Sequence, residues 1–298
     1  MGQILLIVNP VAGKLRARST LMDILEVYSA ANLDVNVRLS QYRGHSRELA
    51  RNAKADMYDR IVCIGGDGTL NEVISGVLES GENIPLGYIP LGSTNDFANS
   101  ISLPKDPAAA AKLSIEGAPC QLDIGDFNTN RKFSYIASFG VFTSASYSAP
   151  QSVKNALGHF AYILEGVKSL QDIINLKCYS LHIEADDKVY DGDYMFGAIA
   201  NSTSIGGILK LNSEMVDMSD GLFEMMLIRR INNISELNQV VLSLAKSDYK
   251  NKMFDFIHAS SFKITANTEI KWSLDGEEAP GGTEVSISNL HNAITIYK

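Results

Sequence analysis

The stretch over residues 61–77 constrains the fold of this 298-residue chain more than any other. Four apolar residues, 61–64, run directly into Gly65-Gly66-Asp67-Gly68, and apolar residues then recur at helical spacing: Leu70, Val73, Ile74 and Val77. This order predicts a buried strand, a tight turn and a helix. Glycines let backbone N–H groups approach a ligand closely, and the positive end of a helix favours an anion such as phosphate. The stretch therefore predicts a phosphate-binding turn.

Asp67 adds a negative charge to this turn. A carboxylate beside a phosphate needs a cation between them, and Mg²⁺ is the usual mediator in phosphoryl transfer. Two common nucleotide-binding motifs are excluded. Asn71 stands where a dinucleotide-binding turn has its third glycine, and residues 9–14 lack the spacing of a Walker A loop. Taken alone, the motif is also compatible with a purely structural connection between strand and helix.

The N-terminal part of the chain alternates between strand-like and helix-like segments. Strands are predicted over residues 4–8, 35–39, 61–64 and 85–90, with helices between them, one of them over about residues 45–55. This order is typical of an α/β domain with a parallel sheet. Such sheets bind ligands beyond the carboxyl ends of their strands, which is where Asn9, Ser40, Asp67 and Asp96 fall. The convergence predicts a polar site, although residues 93–96 alone could also be a helix cap.

The pattern changes near Asp123. Short alternating runs from there onward predict a mostly antiparallel β domain, with helical insertions near residues 155–172 and 234–247. We therefore expect one domain over residues 1–122 and a second over 123–288, with residues 289–298 returning to the first. The second domain carries two acidic turns, over residues 217–222 and 275–278. Each is a weak signal by itself, because Asp-Gly is the commonest hairpin turn.

Composition limits the class of partner. The formal net charge of −8 argues against a nucleic-acid binder. The apolar run at the N-terminus is too short for a signal peptide or a membrane span, so any action on lipid is expected from the water side. The three cysteines, Cys63, Cys120 and Cys178, are expected to be reduced thiols in a cytosolic core. The five histidines show no metal-ligand spacing.

Four motifs together resemble a known family. They are Asn9-Pro10-x-x-Gly13-Lys14, residues 65–72, residues 90–97 with Gly92-x-x-Asn95-Asp96-Phe97, and the acidic turns Asp220-Gly221 and Leu274-Asp275-Gly276-Glu277. In this order and spacing the chain resembles the soluble bacterial diacylglycerol kinases and related lipid kinases, whose catalytic domain is shared with sphingosine kinases. A bare Gly-Gly-Asp-Gly also occurs in phosphofructokinases and NAD kinases, so the specificity lies in the combination.

The resemblance implies a two-domain fold, an α/β nucleotide-binding domain followed by a β-sandwich, with the active site in the cleft between them. It also implies roles for individual residues. Asp67 and Asp96 would act at the phosphates and their Mg²⁺, and either Asp275 or Glu277 would be the general base. Asp220, with backbone carbonyls near Asp217 and Leu222, would form a structural Mg²⁺ site. The ATP-binding positions would be Asn9, Pro10, Val11, Ala12, Gly13, Ser40, Gly65, Gly66, Asp67, Gly68, Thr69, Leu70, Asn71 and Ser93.

One segment departs from the family pattern. Residues 211–216, before Asp220, lack the proline-containing sequence that is common there. The structural metal site is therefore less well supported by the resemblance than the nucleotide site.

The expected reaction is ATP-dependent phosphorylation of diacylglycerol to phosphatidic acid, with ATP and Mg²⁺ as cofactors. The expected partners are ATP and a lipid acceptor at a membrane surface, without nucleic acid, and a homodimer is left open. We expect a cytoplasmic protein that acts transiently at the inner face of the membrane. Two alternatives stay open: a kinase for another acceptor, such as phosphatidylglycerol, a sphingoid base or NAD, and a non-catalytic regulator that binds nucleotide or lipid. Retention of the carboxylates of Asp67, Asp96, Asp275 and Glu277 argues against loss of catalysis.

Overall fold

The structure is a computed structural model that describes residues 2–13, 16–140, 177–202, 204–205, 209–210 and 216–298. The chain divides into two compact units, Met1–Ile124 with His291–Lys298 and Gly125–Leu290. The predicted helical insertion near residues 155–172 lies outside the described residues. Among the helices that the structure describes, none is long and apolar enough to span a membrane.

A parallel sheet forms the centre of the first unit. Its strands are β1 (Gln3–Val8), β2 (Asp34–Leu39), β3 (Arg60–Gly65) and β4 (Leu86–Pro90), in the order β2-β1-β3-β4. Val8 lies opposite both Leu39 and Ile64, while Gly65 lies opposite Pro90. This register brings the carboxyl ends of all four strands to one edge of the sheet. The segments that follow these strands contain most of the residues predicted to bind nucleotide.

Three helices connect these strands: α1 (Arg16–Ala30), α2 (His45–Arg51) and α3 (Asp67–Ser80). Two more, α4 (Asp96–Ser100) and α5 (Pro107–Glu116), follow β4. The apolar residues that predicted α3 are all buried, and Gly81, with a φ of 68°, ends that helix in the left-handed conformation that glycine tolerates. The predicted helix over residues 45–55 is shorter than expected. It ends at Arg51 because the Ala53 N–H donates to the Ala50 carbonyl and tightens the chain into a turn.

The second unit is built mainly from antiparallel strands around an aromatic core. Trp272 is fully buried there against Phe127 and Phe139, with ring centroids 5.5 and 4.8 Å away. The remaining described strands are β5 (Pro119–Phe127), β6 (Arg131–Phe133), β7 (Ile136–Gly140), β8 (Tyr179–Ala185), β9 (Lys188–Ala200), β10 (Ser204–Ile205), β11 (Leu209–Lys210), β12 (Phe223–Arg229), β13 (Phe254–Ala259), β14 (Ser261–Leu274) and β15 (Glu277–Tyr297). Six of them lie in the order β13-β12-β9-β7-β14-β15, with β8 pairing with β9 and β14, β5 with β6 and β15, and β10 with β11.

Two segments complete the description. The helix predicted near residues 234–247 is α6 (Ile234–Lys246). Residues 291–297 of β15 belong to the first unit, where Ile296 pairs in parallel with Leu86 of β4. The prediction that all three cysteines lie in a core is wrong for two of them. Cys63 is buried in β3, but Cys120 and Cys178 lie at the starts of strands and are partly exposed.

Candidate functional site

Asp67 and Asp96 are brought together at the carboxyl edge of the parallel sheet. Asp67 is the first residue of α3, and its carboxylate accepts hydrogen bonds from the N–H groups of Asp96 (3.1 Å) and Phe97 (3.3 Å). Asp96 itself begins α4 and is buried. The Asp67 side chain therefore contacts the Asp96 backbone directly, and this contact holds the residues that follow β3 and β4 together.

Glycines allow the turns at this edge to touch. A Cβ atom on Gly92 would lie 2.6 Å from the Cα atom of Gly66, a distance that real Cβ atoms do not reach. Gly13, with a φ of 59°, adopts a left-handed conformation, and a Cβ atom there would collide with the carbonyl of Leu91. The segments after β1, β3 and β4 thus meet through backbone contacts that any larger residue would prevent.

Asn9 links the first of these turns to α3. Its side-chain amide donates to the Thr69 hydroxyl over 3.0 Å, while its side-chain oxygen accepts the Val11 N–H at 3.1 Å. Gly65 packs against the Thr69 side chain, which leaves no room for a Cβ atom. Asn9, Gly65 and Thr69, all predicted to bind nucleotide, are therefore in one cluster.

The other predicted nucleotide residues differ in exposure. Ser93 is exposed, and Ser40 follows β2, with its N–H donating to the Val8 carbonyl over 2.9 Å. The side chains of Ala12 and Leu70 are buried, so these two residues offer only backbone atoms to a ligand. The remaining members are accessible or partly accessible at the same edge: Pro10, Val11, Gly66, Gly68 and Asn71.

The carboxylate of Asp275 is used within the second unit. Asp275 and Gly276, with φ values of 48° and 86°, form the two-residue turn between β14 and β15, in which Leu274 pairs with Glu277. The Asp275 side chain points inward and accepts four hydrogen bonds from three consecutive residues. The donors are the N–H groups of Ser134 (2.6 Å), Tyr135 (3.1 Å) and Ile136 (3.0 Å) and the Ser134 hydroxyl (2.7 Å).

Glu277 lies in a different environment from Asp275. Asp275 is 8% exposed, whereas the Glu277 side chain is 46% exposed and lies 3.6 Å from the Arg131 guanidinium. Burial raises the pKa of Asp275 above its usual range, although its four hydrogen bonds oppose that shift. The two candidate bases are thus distinguished: one is an internal hydrogen-bond acceptor and the other is accessible.

The acidic turn before β12 uses its carboxylates in local hydrogen bonds. Asp217 accepts from the Ser219 N–H (3.0 Å) and hydroxyl (2.8 Å), and Asp220 accepts from the Leu222 N–H (2.9 Å). Within the described parts of the chain, no group of three or more His, Cys, Asp or Glu side chains is arranged to hold a metal. The carboxylates of Asp217 and Asp220 are both in this turn, but the described residues add no third His, Cys, Asp or Glu side chain that would complete a metal site with them.

Glu224, which sequence reasoning missed, lies beside this turn. Its side chain is only 2% exposed, and its Oε2 atom has no hydrogen-bond partner among the residues that the structure describes. Burial, together with the negative charges of Asp220 and Asp217, raises the pKa of Glu224 to about 8. The His258 ring lies beside it, with Nδ1 3.7 Å from Oε1. Because the other residues over 223–228 are all apolar, the sequence could have predicted a buried side chain at position 224, but not the environment of its carboxylate.

Two further features of the site had no signal in the sequence. Ser134 lies 141 residues from Asp275, so no local spacing could have indicated its hydrogen bonds to that carboxylate.

Tyr42, which follows Ser40 closely, is exposed and stacks on His45 with ring centroids 4.6 Å apart and ring planes 7° from parallel. The Tyr42 hydroxyl donates to Glu48 over 2.7 Å, which fixes the ring further.

Comparison with known proteins agrees with this geometry. The sequence profile of the diacylglycerol kinase catalytic domain matches residues 3–127. A diacylglycerol kinase of Staphylococcus saprophyticus is 31% identical over 293 residues, which cover 98% of this chain and 94% of that protein. The Staphylococcus haemolyticus diacylglycerol kinase is 32% identical over 292 residues, covering 98% and 86% of the two chains.

A solved structure gives the same fold. The crystal structure of a diacylglycerol kinase from Bacillus anthracis superimposes with a TM-score of 0.78 at 21% identity, covering 99% of this chain and 97% of that one. The prediction of a two-domain, sheet-rich fold with helices is thereby confirmed. The chain belongs to the bacterial diacylglycerol kinase family. It is accordingly a lipid kinase.

Proposed function

We propose that this chain transfers the γ-phosphate of ATP to the hydroxyl group of diacylglycerol and so makes phosphatidic acid. The observation that carries the proposal is the meeting of three glycine-containing turns at the Asp67 and Asp96 carboxylates. Phosphoryl transfer needs little covalent help from a protein. Its rate comes from holding the phosphates in line and offsetting their charge, which is what such turns and carboxylates can supply.

The first unit is assigned to ATP. Backbone N–H groups of residues 65–71 and 9–13 would bind the phosphates, with Ser40 and Ser93 at the neighbouring strand ends. The close approach of Gly13 to Leu91 and of Gly66 to Gly92 supports this assignment, because the turns need no reorganisation to accept an anion. The N-terminus of α3, an element of 14 residues, faces the same segment and favours negative charge.

The donor set of the first unit fits Mg²⁺. Kinases of this family use ATP and a divalent metal in general, and Mg²⁺ prefers hard oxygen ligands such as the carboxylates of Asp67 and Asp96. When bound, Mg²⁺ would neutralise charge on the β- and γ-phosphate oxygens. The hydrogen bonds from Asp96 and Phe97 would keep the Asp67 carboxylate in one orientation for that contact.

Glu277 is assigned as the general base. A base must reach the acceptor hydroxyl with a lone pair that can take its proton. The four hydrogen bonds to Asp275 use both of its oxygens, so Asp275 would have to break internal contacts to act. Glu277 is accessible, and its place at the start of β15 is fixed by the turn that Asp275 stabilises. Asp275 is therefore a positioning residue in this proposal.

A second cation is assigned to the turn before β12, with Asp217, Asp220 and the Leu222 carbonyl as ligands. The buried Glu224 supports this assignment, because its Oε2 atom has no hydrogen-bond partner among the described residues. Burial and the negative charges of Asp220 and Asp217 raise the pKa of Glu224, and a cation would relieve that repulsion. Its role would be to stabilise the turn rather than to act on the substrate.

The test is transfer of label from γ-labelled ATP with Mg²⁺ to mixed micelles that contain diacylglycerol, phosphatidylglycerol or a sphingoid base, with NAD as a soluble acceptor. We expect label in phosphatidic acid, and at least a ~100-fold loss of rate in Asp67→Asn. Asp56→Asn, which changes an exposed carboxylate of the same unit, should leave the rate unchanged.

Label on another acceptor would replace diacylglycerol but keep the mechanism. ATP binding without transfer to any acceptor would favour the regulatory alternative and overturn the proposal.

A further inference from the structure

We propose that the outward face of α6 docks on an anionic lipid bilayer. The proposal rests on the proposed function, because diacylglycerol is presented to the enzyme in a lipid surface. The outward face is defined by Ile234, Asn238, Val241, Leu242 and Ala245.

The opposite face and both ends of α6 are already fixed in the second unit. Leu237 and Val240 are buried, which anchors the inner face. At the start of the helix, the Asn233 side chain accepts the Glu236 N–H (2.9 Å), while Glu236 accepts the Asn232 N–H (2.9 Å). At its end, Asn251 donates to the Ser243 hydroxyl over 2.7 Å. The helix is thus held without any contribution from its outward face.

Two large apolar side chains are nonetheless exposed on the outward face. Ile234 is 57% and Leu242 is 55% exposed, and eight residues of helix place them about 12 Å apart along the axis. Val241, which is partly exposed, and Ala245, which is exposed, lie in the same sector as Asn238, and the polar residues Ser235 and Gln239 border it. Exposed apolar residues that recur along one helix, with no part in folding it, indicate a surface for a partner.

The charges around the face favour an anionic partner. Lys246 follows Leu242 by four residues on the same side of α6, and Lys250 is exposed just beyond the helix. Of the nearby acids, Glu236 lies 3.4 Å from Lys252, which offsets its charge, whereas Asp248 accepts only the backbone N–H of Lys250 and keeps its charge. Among the described residues, the two lysines therefore outnumber the one acid without a cationic partner by one charge. In a chain of net charge −8, this leaves a locally cationic end on an apolar face.

This combination is typical of a helix that lies in the plane of a membrane interface. Apolar side chains enter the boundary of the acyl chains, and lysines at the edge reach anionic head groups. Because only a few apolar side chains take part, docking is reversible, which suits an enzyme that must release its lipid product. A second copy of the chain is the competing occupant of the same face.

The test is flotation of the full chain with vesicles of phosphatidylglycerol and phosphatidylcholine in equal amounts, without diacylglycerol. We expect the double variant Ile234→Gln/Leu242→Gln to bind about 30-fold more weakly than the wild type, with an unchanged thermal unfolding midpoint. The matched control is Val189→Gln, which removes an apolar side chain of 58% exposure elsewhere in the second unit and should bind like the wild type. Lys246→Gln/Lys250→Gln should weaken binding in low salt only.

Vesicle binding that persists in the double variant would overturn the proposal, as would a wild type that does not bind vesicles. A wild-type dimer in sedimentation that becomes a monomer in the double variant, with vesicle binding intact, would assign the face to a second copy. Kinase assays separate this inference from the proposed function. The double variant should lose activity on diacylglycerol in vesicles and keep it on a short-chain diacylglycerol dispersed in water. A wild type that phosphorylates neither form would refute the proposed function, while flotation would still decide the docking face.

Discussion

Replacing Asp275 with asparagine separates a positioning role from a catalytic one. The aspartate accepts four hydrogen bonds, from Ser134 (two), Tyr135 and Ile136. An asparagine amide keeps one acceptor oxygen and replaces the other with an NH₂ group, which can only donate. With the NH₂ group toward Tyr135 and Ile136, two N–H groups face a donor instead of an acceptor. With the NH₂ group toward Ser134, the Ser134 hydroxyl can turn to accept, and only the Ser134 N–H loses its acceptor, so this orientation is favoured.

The cost follows from this count. A buried donor left without a partner costs about 1.5 kcal/mol, so the favoured orientation, which leaves one, destabilises the second unit by about 1.5 kcal/mol. With a urea m-value of about 2 kcal/mol per M, the unfolding midpoint should fall by about 0.8 M. Ser134→Ala removes one hydroxyl donor and leaves every backbone N–H bonded, so it should cost only about 1 kcal/mol.

Trp272 provides the assay. It is the only tryptophan of the chain, and it is buried in the core of the second unit, so its fluorescence follows the unfolding of that unit. The companion variant is Glu277→Gln. It should leave the Trp272 transition within about 0.5 kcal/mol of the wild type, because the side chain is half exposed. The same variant should lower kcat by ~100-fold or more.

The opposite pattern would refute the reasoning. If Asp275→Asn unfolded like the wild type but lost activity, while Glu277→Gln kept it, Asp275 would be the base.

Three further outcomes are expected. The pKa of Glu224 is raised from 4.5 to about 8 in the folded protein, so the native state binds the proton more tightly than the unfolded state does. The free energy of unfolding should therefore fall, by up to about 5 kcal/mol, as the pH rises from about 4.5 to 8. Urea titrations should show this pH dependence flattened by Glu224→Gln or by added Mg²⁺. The exposed Tyr42 ring, stacked on His45, offers a face on which an adenine base could stack. Tyr42→Ala should then weaken ADP binding about tenfold in calorimetry and leave pyrophosphate binding unchanged, whereas Tyr42→Phe should bind ADP like the wild type. Gly92→Ala should reduce ATP affinity and lower the melting temperature, because its Cβ atom would press on Gly66; a normal variant would contradict the close approach of the two turns.

Local patterns predicted the secondary structure around the first site well. The run of apolar residues before Gly65 and the helical spacing after it correspond to β3 and α3. Helix ends were less predictable, as α2 shows, because the turn that ends it at Arg51 depends on backbone hydrogen bonds rather than on a proline or glycine. The convergence of Asp67 with Asp96 was expected from the rule for strand ends. The specific contact, a carboxylate accepting from the backbone of the next turn, was not.

The motif Leu274-Asp275-Gly276-Glu277 shows why the rest of the site could not be predicted. The carboxylates of Asp275 and Glu277, two residues apart, look equivalent in the sequence, since either could accept a proton. They differ only after folding, because the turn directs Asp275 toward donors more than a hundred residues earlier and leaves Glu277 accessible. The long-range acceptor also explains why an aspartate suits the first turn position. It tolerates a positive φ there, and its short side chain reaches the Ser134 backbone. In the proposed mechanism, the Asp275 carboxylate fixes the turn from which Glu277 projects. A substitution of Asp275 should therefore impair activity by disturbing that turn, and a substitution of Glu277 by removing the proposed base.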